Sequence, residues 1–304
     1  MKNFGNFDAE HLIVTGGDGF VGTTFRAVYG GRALEDGAGT VELRDRSRLL
    51  EAIANAEPQA VLHLAAQSSV AASFENPVET FEINFLGTLN LLQALKAVRF
   101  TGVFVYVGSA DTYGFVEMEA SPTKEDHPLR PRSPYAVSKV AAEALCYQWS
   151  QIEQVRIVLA RPFNQIGPGQ NPRFAIPDFA RQVIEIKHGR REPVLTTGDL
   201  DVKRDFTDVR DSIRAYAALL EYGSNGEVYN ICSGQEHSLR SLVEGMLSAA
   251  GVTAEFRTDP ARMRPNEQRS MLGDPTKIFE QLGWTPEIPL SETLADILRE
   301  IDQD

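Results

Sequence analysis

The chain has 304 residues, 42% of them apolar and 24% charged, with no biased tract; that suits one large two-lobed unit or two domains. A formal net charge of −12 argues against a nucleic-acid partner and against an anionic membrane surface, so a phosphorylated ligand would need a local cluster of arginines. No apolar run reaches membrane-span length and residues 1–10 carry no secretory h-region, which makes a cytoplasmic protein the expectation.

Leu12-Ile13-Val14 is a short apolar run ending in Thr15-Gly16-Gly17-Asp18-Gly19-Phe20-Val21-Gly22, and a helical pattern follows through Tyr29. Strand, glycine turn and helix form the context in which spaced glycines bind a dinucleotide. Gly16, Gly19 and Gly22 suit a tight turn, close approach of a pyrophosphate to backbone N–H groups, and tight helix–strand packing. Residues 30–40 are poorly patterned. Arg32, Glu35 and Asp36 are all candidates for the ribose end, an acid favouring NAD(H) and a base favouring NADP(H). Val41-Glu42-Leu43 precedes a helix over 46–56. Glu42 there is either an adenine-facing acid or a solvated surface charge.

Residues 60–66 read as a buried parallel strand. Its exit, Ala65-Ala66-Gln67-Ser68, falls where open α/β sheets place ligands. A long helix is expected over 81–98, then a strand over 103–107 ending at Gly108-Ser109-Ala110-Asp111. A helix over 135–151 and a strand over 155–159 lead into Arg161-Pro162-Phe163-Asn164. This alternation predicts an α/β fold with a doubly wound parallel sheet.

The second half changes character. Prolines and glycines cluster over 167–172. There follow a helix over 176–188, a strand over 194–196, an Asp/Arg-rich loop over 199–208 and a helix over 209–222. Next come a strand over 228–232, a helix over 239–250, a basic patch at Arg262-Met263-Arg264-Pro265, and helices over 276–282 and after Pro289. The reading is a Rossmann-type domain over 1–165 and a smaller mixed α/β substrate lobe over 166–304, with 199–222 packing back on the first domain. The two cysteines, Cys146 and Cys232, offer neither a disulfide framework nor metal-ligand spacing, which suits a reducing compartment.

Ser133-Pro134-Tyr135-Ala136-Val137-Ser138-Lys139 carries the chemistry. Tyr135 and Lys139 are four apart, so a helix stacks them on one face. An ammonium beside a phenol favours phenolate, and such a Tyr passes a proton to or from an alcohol oxygen. Ser109, at a strand end, reads on its own as a local backbone cap.

Gly16, Gly19 and Gly22 with Ser109, Tyr135 and Lys139 resemble the extended short-chain dehydrogenase/reductase family, over nearly the whole chain. Further segments resemble its branch acting on GDP-linked 6-deoxyhexoses. They are Ala65-Ala66-Gln67-Ser68-Ser69-Val70 with Ser73-Phe74-Glu75-Asn76-Pro77, Arg161-Pro162-Phe163-Asn164 with Gly167-Pro168-Gly169-Gln170, and Asp199 through Phe206. Ala261-Arg262-Met263-Arg264-Pro265 with Glu267-Gln268 belongs with them. The resemblance implies an NADP(H) or NAD(H) enzyme that reduces the C4 ketone of a GDP-4-keto-6-deoxy sugar for cell-surface polysaccharide. It implies a cofactor along Gly16, Gly19, Phe20, Val21, Gly22, Glu42, Leu64, Ala65, Ala66, Gln67, Tyr135, Lys139 and Pro162. It implies substrate contacts from Ser68, Ser109, Asn164, Arg204, Arg264 and Glu267, with Ser109, Asp111, Tyr135 and Lys139 catalytic and no metal.

Dehydratases of the branch place Glu two residues after the catalytic Ser or Thr; Asp111 stands there, one methylene shorter. Ala110 and Ser69 also stand where related dehydratases carry Asp and His. These departures favour a reductase over a 4,6-dehydratase, with an epimerase of the same family or a cofactor-sensing regulator as further alternatives. Apolar residues on more than one face of the 81–98 and 135–151 helices (Phe85, Leu89, Leu92; Val140, Leu145, Trp149) predict a homodimer. The resemblance implies a four-helix bundle at its interface.

Overall fold

Five short, largely apolar segments pair side by side because each is buried on both faces, as parallel sheets require, and a two-residue edge strand completes the sheet. A computed structural model describes residues 5, 7–37, 39–263 and 268–303. Strand β1 (Leu12–Thr15) runs through the glycine turn into helix α1 (Phe20–Tyr29), and β2 (Arg32–Ala33) returns beside β1. A small hairpin, β3 (Glu35–Asp36) and β4 (Gly39–Thr40), leads to α2 (Arg46–Ala56), capped by Asp45 onto the N–H of Arg48.

Strand β5 (Ala60–His63) is three residues shorter than its apolar run. The chain leaves the sheet as the N–H of Leu64 takes the Thr15 carbonyl and the N–H of Ala65 takes the Thr15 hydroxyl. Helices α3 (Val70–Glu75) and α4 (Pro77–Phe81) come next. A π-helical turn over Glu82–Leu86 then joins α4 to α5 (Gly87–Ala97), so the expected single helix carries one wide turn. Such turns gather at functional sites.

Strands β6 (Val103–Val107) and β7 (Arg156–Pro162) flank helix α6 (Pro134–Ile152) in the chain. α6 begins where Ser133 caps the N–H of Ala136 and Pro134 takes the first turn, where its missing N–H has no consequence. Strand β8 (Asn164–Ile166) and helix α7 (Ala175–Lys187) open the second half, followed by β9 (Val194–Thr197).

The expected loop over 199–208 is in part a strand, β10 (Lys203–Asp208). Its buried Asp205 hid it, because an acid at a buried strand position reads as loop. That carboxylate accepts from the N–H and hydroxyl of Ser233 and the N–H of Gly234. Helix α8 (Val209–Tyr222) packs on the main sheet against α1, and β11 (Val228–Ile231) becomes that sheet's edge beside β7. The rest is β12 (Glu236–Ser238), α9 (Leu239–Ala250), β13 (Glu255–Thr258), β14 (Ser270–Met271), α10 (Thr276–Leu282) and α11 (Leu290–Gln303).

The main sheet is parallel with order β11-β7-β6-β5-β1-β2. The order reverses direction around β1 and β5, so the ligand crevice of such a sheet opens at their C-terminal ends. β10 sits between β12 and β14 and also pairs with β8, and β13 pairs with β9. A separate apolar core, including Ile176, Phe179, Val183, Leu195, Met246 and Ile297, joins α7, α9 and α11.

Part of the interface reading is corrected. Leu92 is buried, and Phe85, Leu145 and Trp149 pack against the sheet-side core. Leu86, Val137, Tyr147 and Ile152 are exposed apolar residues of these helical segments instead. Among the described residues no helix is long and apolar enough to cross a membrane, and no group of side chains could hold a metal ion.

Candidate active site

Four loops meet at the C-terminal edge of the main sheet: the glycine turn after β1, residues 64–69 after β5, residues 108–111 after β6, and the start of β8. The glycine turn is a tight backbone cradle. Gly16 has φ +68°, and a Cβ there would meet the backbone of Ala65 at 2.8 Å. A Cβ on Gly22 would lie 2.2 Å from the Gly16 carbonyl oxygen, so only glycine lets α1 approach the turn. Gly19 caps α1 without any side-chain acceptor on its first N–H groups. Those amides and the helix dipole suit a diphosphate. Phe20 and Val21 form the first turn above it.

The ribose end is more committed than the sequence shows. Asp36 accepts a two-pronged contact from Arg48, both arms at 2.7 Å. Arg32 is exposed on β2 and Glu35 lies on the hairpin. Glu42 is exposed and faces Arg44 at 3.7 Å.

A polar chain behind the crevice fixes the exit of β5. His63 is buried, and Thr88 Oγ1 gives its own proton to the Asn84 carbonyl at 2.7 Å, so it accepts from His63 Nε2–H at 2.9 Å. Nδ1 then accepts from Thr15 Oγ1 at 2.7 Å. Burial, with the nearby charge of Lys139, lowers the imidazole to about 3, so it is neutral at physiological pH. Asn84 sits in the π-turn and holds both sides of the site. Its Oδ1 accepts from the N–H of Gln67 at 2.8 Å, and its Nδ2 donates to the Gln67 carbonyl and to Ser138 Oγ. Ser138 Oγ in turn donates to the Tyr135 carbonyl at 2.7 Å.

Sequence reading missed Asn84, His63 and Ser138. The available signal was a polar residue on an otherwise apolar face in each case. The side chain of Gln67 is spent on its own turn, with Nε2 donating to the Ser69 carbonyl and to Thr80. Leu64, Ala65 and Ala66 line the loop it braces, and Ser68 is exposed at its tip.

Tyr135, Lys139 and Ser109 come together. Tyr135 and Lys139 are buried one turn apart on α6, and the Tyr135 hydroxyl shares a hydrogen bond with Ser109. Ser109 Oγ also accepts from the N–H of Asp111 at 3.1 Å, so its local capping role and its contact to the phenol coexist. Lys139 Nζ donates to the Val107 carbonyl at 2.9 Å and lies over the Tyr106 ring. Burial lowers this ammonium to about 8.

The expected priming of the phenol is corrected by this arrangement. Burial, and secondarily the charge of Asp111, raises Tyr135 above its usual value, and only the Ser109 hydrogen bond acts the other way. Desolvation outweighs a lysine whose charge is directed at a carbonyl.

Asn164 donates to the Asp205 carbonyl at 3.1 Å, Pro162 ends β7 beside Ile231, and Arg204 stands on β10 opposite His237. Arg264 and Glu267 lie outside the described residues.

The family described as GDP-mannose 4,6 dehydratase matches residues 38–297. A GDP-6-deoxy-D-mannose reductase of Pseudomonas aeruginosa is 46% identical over 95% of this chain and 96% of its own length. A GDP-mannose 4,6-dehydratase of Vibrio cholerae is 30% identical over 85% of this chain and 77% of its own. Among solved structures, RMD from Pseudomonas aeruginosa complexed with NADPH superimposes with a TM-score of 0.91 at 43% identity, covering 96% of this chain and 98% of that one. The UDP-glucose 4-epimerase of Thermus thermophilus in complex with NAD gives 0.83 at 29% identity, covering 95% and 98%.

Proposed function

The chain belongs to the GDP-mannose 4,6-dehydratase family of extended short-chain dehydrogenases/reductases, and from that membership we propose that it reduces the C4 ketone of GDP-4-keto-6-deoxy-D-mannose, or a close GDP-sugar analogue, to the alcohol. The observation that carries the reading is the hydrogen bond between Ser109 and a buried, protonated Tyr135. A reductase needs an acid that starts each turnover holding its proton, and desolvation keeps this phenol in that state. The 46% identity to a reductase, against 30% to a dehydratase, supports the same choice.

NADPH is the cofactor that the glycine cradle and the relative bound to it support, with NAD(H) as the second choice. When bound it supplies the hydride that C4 receives. Tyr135 gives its proton to the C4 oxygen and recovers it from solvent. Ser109 holds the same oxygen and stabilises its developing charge. Lys139 keeps a positive charge beside the reacting centre and holds the cofactor ribose. Gly16, Gly19 and Gly22 admit the diphosphate, and residues 64–67, braced by Asn84, line the nicotinamide side.

Asn164, Arg204 and Ser68 serve the sugar nucleotide, and Arg264 and Glu267 are assigned with them by family pattern alone. Residues 1–165 form the cofactor unit and 166–304 the sugar-nucleotide lobe, with α8 and β11 returning to the first sheet. The product is a precursor for cell-surface polysaccharide made in the cytoplasm. Two copies pair through α5 and α6, a reading supported by exposed Leu86, Val137 and Tyr147. A monomer in sedimentation at micromolar concentration would oppose that pairing.

Absorbance at 340 nm tests the reaction. Stoichiometric loss of NADPH with GDP-4-keto-6-deoxymannose is expected. Turnover of GDP-mannose with no net change in NADPH would make the chain a dehydratase instead.

A further inference from the structure

We propose that Arg161 is a positioning residue for this reaction, holding Tyr135 opposite Ser109 by tying the catalytic helix to the turn that begins at Ser109. The proposal rests on the reductase reading above. Glu143 lies on α6 one turn beyond Lys139 and two beyond Tyr135, so all three share a helix face. Arg161, near the end of β7, grips it fork to fork. Nε donates to Oε2 at 2.9 Å and one terminal nitrogen to Oε1 at 2.6 Å.

The remaining terminal nitrogen donates to the Tyr113 hydroxyl and to the Glu125 carbonyl, both at 2.9 Å. The guanidinium also lies 4.8 Å from the centre of the Tyr113 ring. Tyr113 closes the 3-10 turn Ala110–Tyr113, which Ser109 caps. Its own hydroxyl proton goes to Asn230 Oδ1 at 2.6 Å. Asn230 is locked in turn, with its Nδ2 on the Thr123 carbonyl and its N–H on the Glu125 carboxylate.

Ser109 and Tyr135 are therefore joined twice. One link is their direct hydrogen bond. The other is a buried ring of contacts through Tyr113, Arg161 and Glu143. The side chains of Arg161 and Glu143 are 5% and 7% exposed. A buried ion pair is a poor way to gain stability compared with apolar packing. What this pair supplies is direction: five N–H groups in a fixed plane reach two segments at once, which a lysine cannot do. Displacing a reacting group by about 1 Å costs on the order of 100-fold in rate, so the ring has kinetic leverage without touching substrate.

Two full-chain variants test this. Tyr113→Phe deletes one hydroxyl and keeps the ring, and Arg161→Lys keeps the charge and loses the fork. Rates are normalised to NADPH-binding sites counted by fluorescence titration, so misfolded protein does not enter. The single-turnover rate of ketone reduction is expected to fall about 10-fold in Tyr113→Phe and about 100-fold in Arg161→Lys. The KM for the GDP-sugar and the NADPH Kd should stay within about twofold. Wild-type rates in folded Tyr113→Phe would overturn the proposal, as would a loss confined to KM or Kd. If Arg161→Lys does not fold, Tyr113→Phe decides alone. Failure of the wild-type chain to oxidise NADPH with the keto sugar is a different result, and it refutes the reductase reading rather than this one.

Discussion

Lys139 Nζ donates to the carbonyl oxygen of Val107 at 2.9 Å. A side chain of α6 thus docks on the last residue of β6, two residues before Ser109. The ammonium is aimed along the sheet edge and not at the phenol one turn away. The proposed proton donor and the positive charge are neighbours with separate contacts, and they separate experimentally.

Tyr135→Phe removes the proposed proton donor and leaves Lys139 and the glycine cradle intact. kcat for ketone reduction should fall by about 100- to 10,000-fold, while the NADPH Kd changes by less than about threefold. Cofactor fluorescence titration and initial rates measure the two. Retained turnover would remove Tyr135 from the chemistry.

Lys139 is depressed to about 8 by burial. It is charged below that pH and neutral above it, so kcat/KM should drop on the alkaline side with an inflection near 8. The fold responds oppositely. Between about 8 and the ordinary lysine value of about 10.5 the unfolded chain binds a proton that the folded chain does not. This group therefore favours folding more as pH rises through that window. Activity lost near pH 8 in a chain that denaturant finds no weaker is the expected pair of results; a flat profile to pH 10 would contradict it.

Gly19 and Gly22 should respond differently to one added methyl. At Gly22 it would lie 2.2 Å from the Gly16 oxygen and 2.7 Å from Gly17 Cα, both backbone atoms that cannot swing aside. Gly22→Ala is expected to destabilise the chain by about 2 kcal/mol or more. At Gly19 the nearest atom is 3.3 Å away. Gly19→Ala should stay within about 1 kcal/mol of wild type yet weaken NADPH at least about 10-fold, because a methyl would crowd the turn whose backbone N–H groups a pyrophosphate must approach closely. Denaturant melts and Kd measurements distinguish the two. Equal stability losses would refute the division of roles.

His63 is neutral in the fold down to about pH 3. Unfolded, it takes up a proton near pH 6.5. Stability is unaffected above that value and declines as pH falls from about 6.5 toward 3, by about 2 kcal/mol at pH 5. His63→Gln should remove that share of the acid sensitivity, whatever its effect at pH 7. The measurement is the difference between variant and wild type in urea unfolding at pH 7 and at pH 5. An unchanged difference would show that His63 does not resist protonation.

The elements legible from sequence are those whose burial repeats with a clean period. The helices over 46–56, 209–222, 239–250 and 276–282 have the expected limits. Tyr135 and Lys139 stand out in the sequence because their four-residue spacing puts them on one helix face, and the fold brings Ser109 to the same place. What stayed hidden was set by contacts distant in sequence. β10 contains an acid that is stable only because Ser233 and Gly234 donate to it. The ionisation of Tyr135 depends on burial by the whole site, so a neighbouring positive charge read off a helix face gave the wrong direction. Asn84 faces inward because the helix widens at that turn, and a uniform 3.6-residue period cannot reveal a change of pitch.

That widened turn also makes the segment a length gauge. Deleting one residue within it would let the helix relax to regular winding with the segments on either side kept in register, because the wide turn holds one residue more than an α-turn. Asn84, which lies in the wide turn, would then lose the geometry of its bonds to Gln67 and Ser138. Point substitutions on the exposed side of this segment leave that spacing untouched, whereas a single-codon deletion loosens the β5 exit from α6. The chain is therefore more tolerant here of altered spelling than of altered word length.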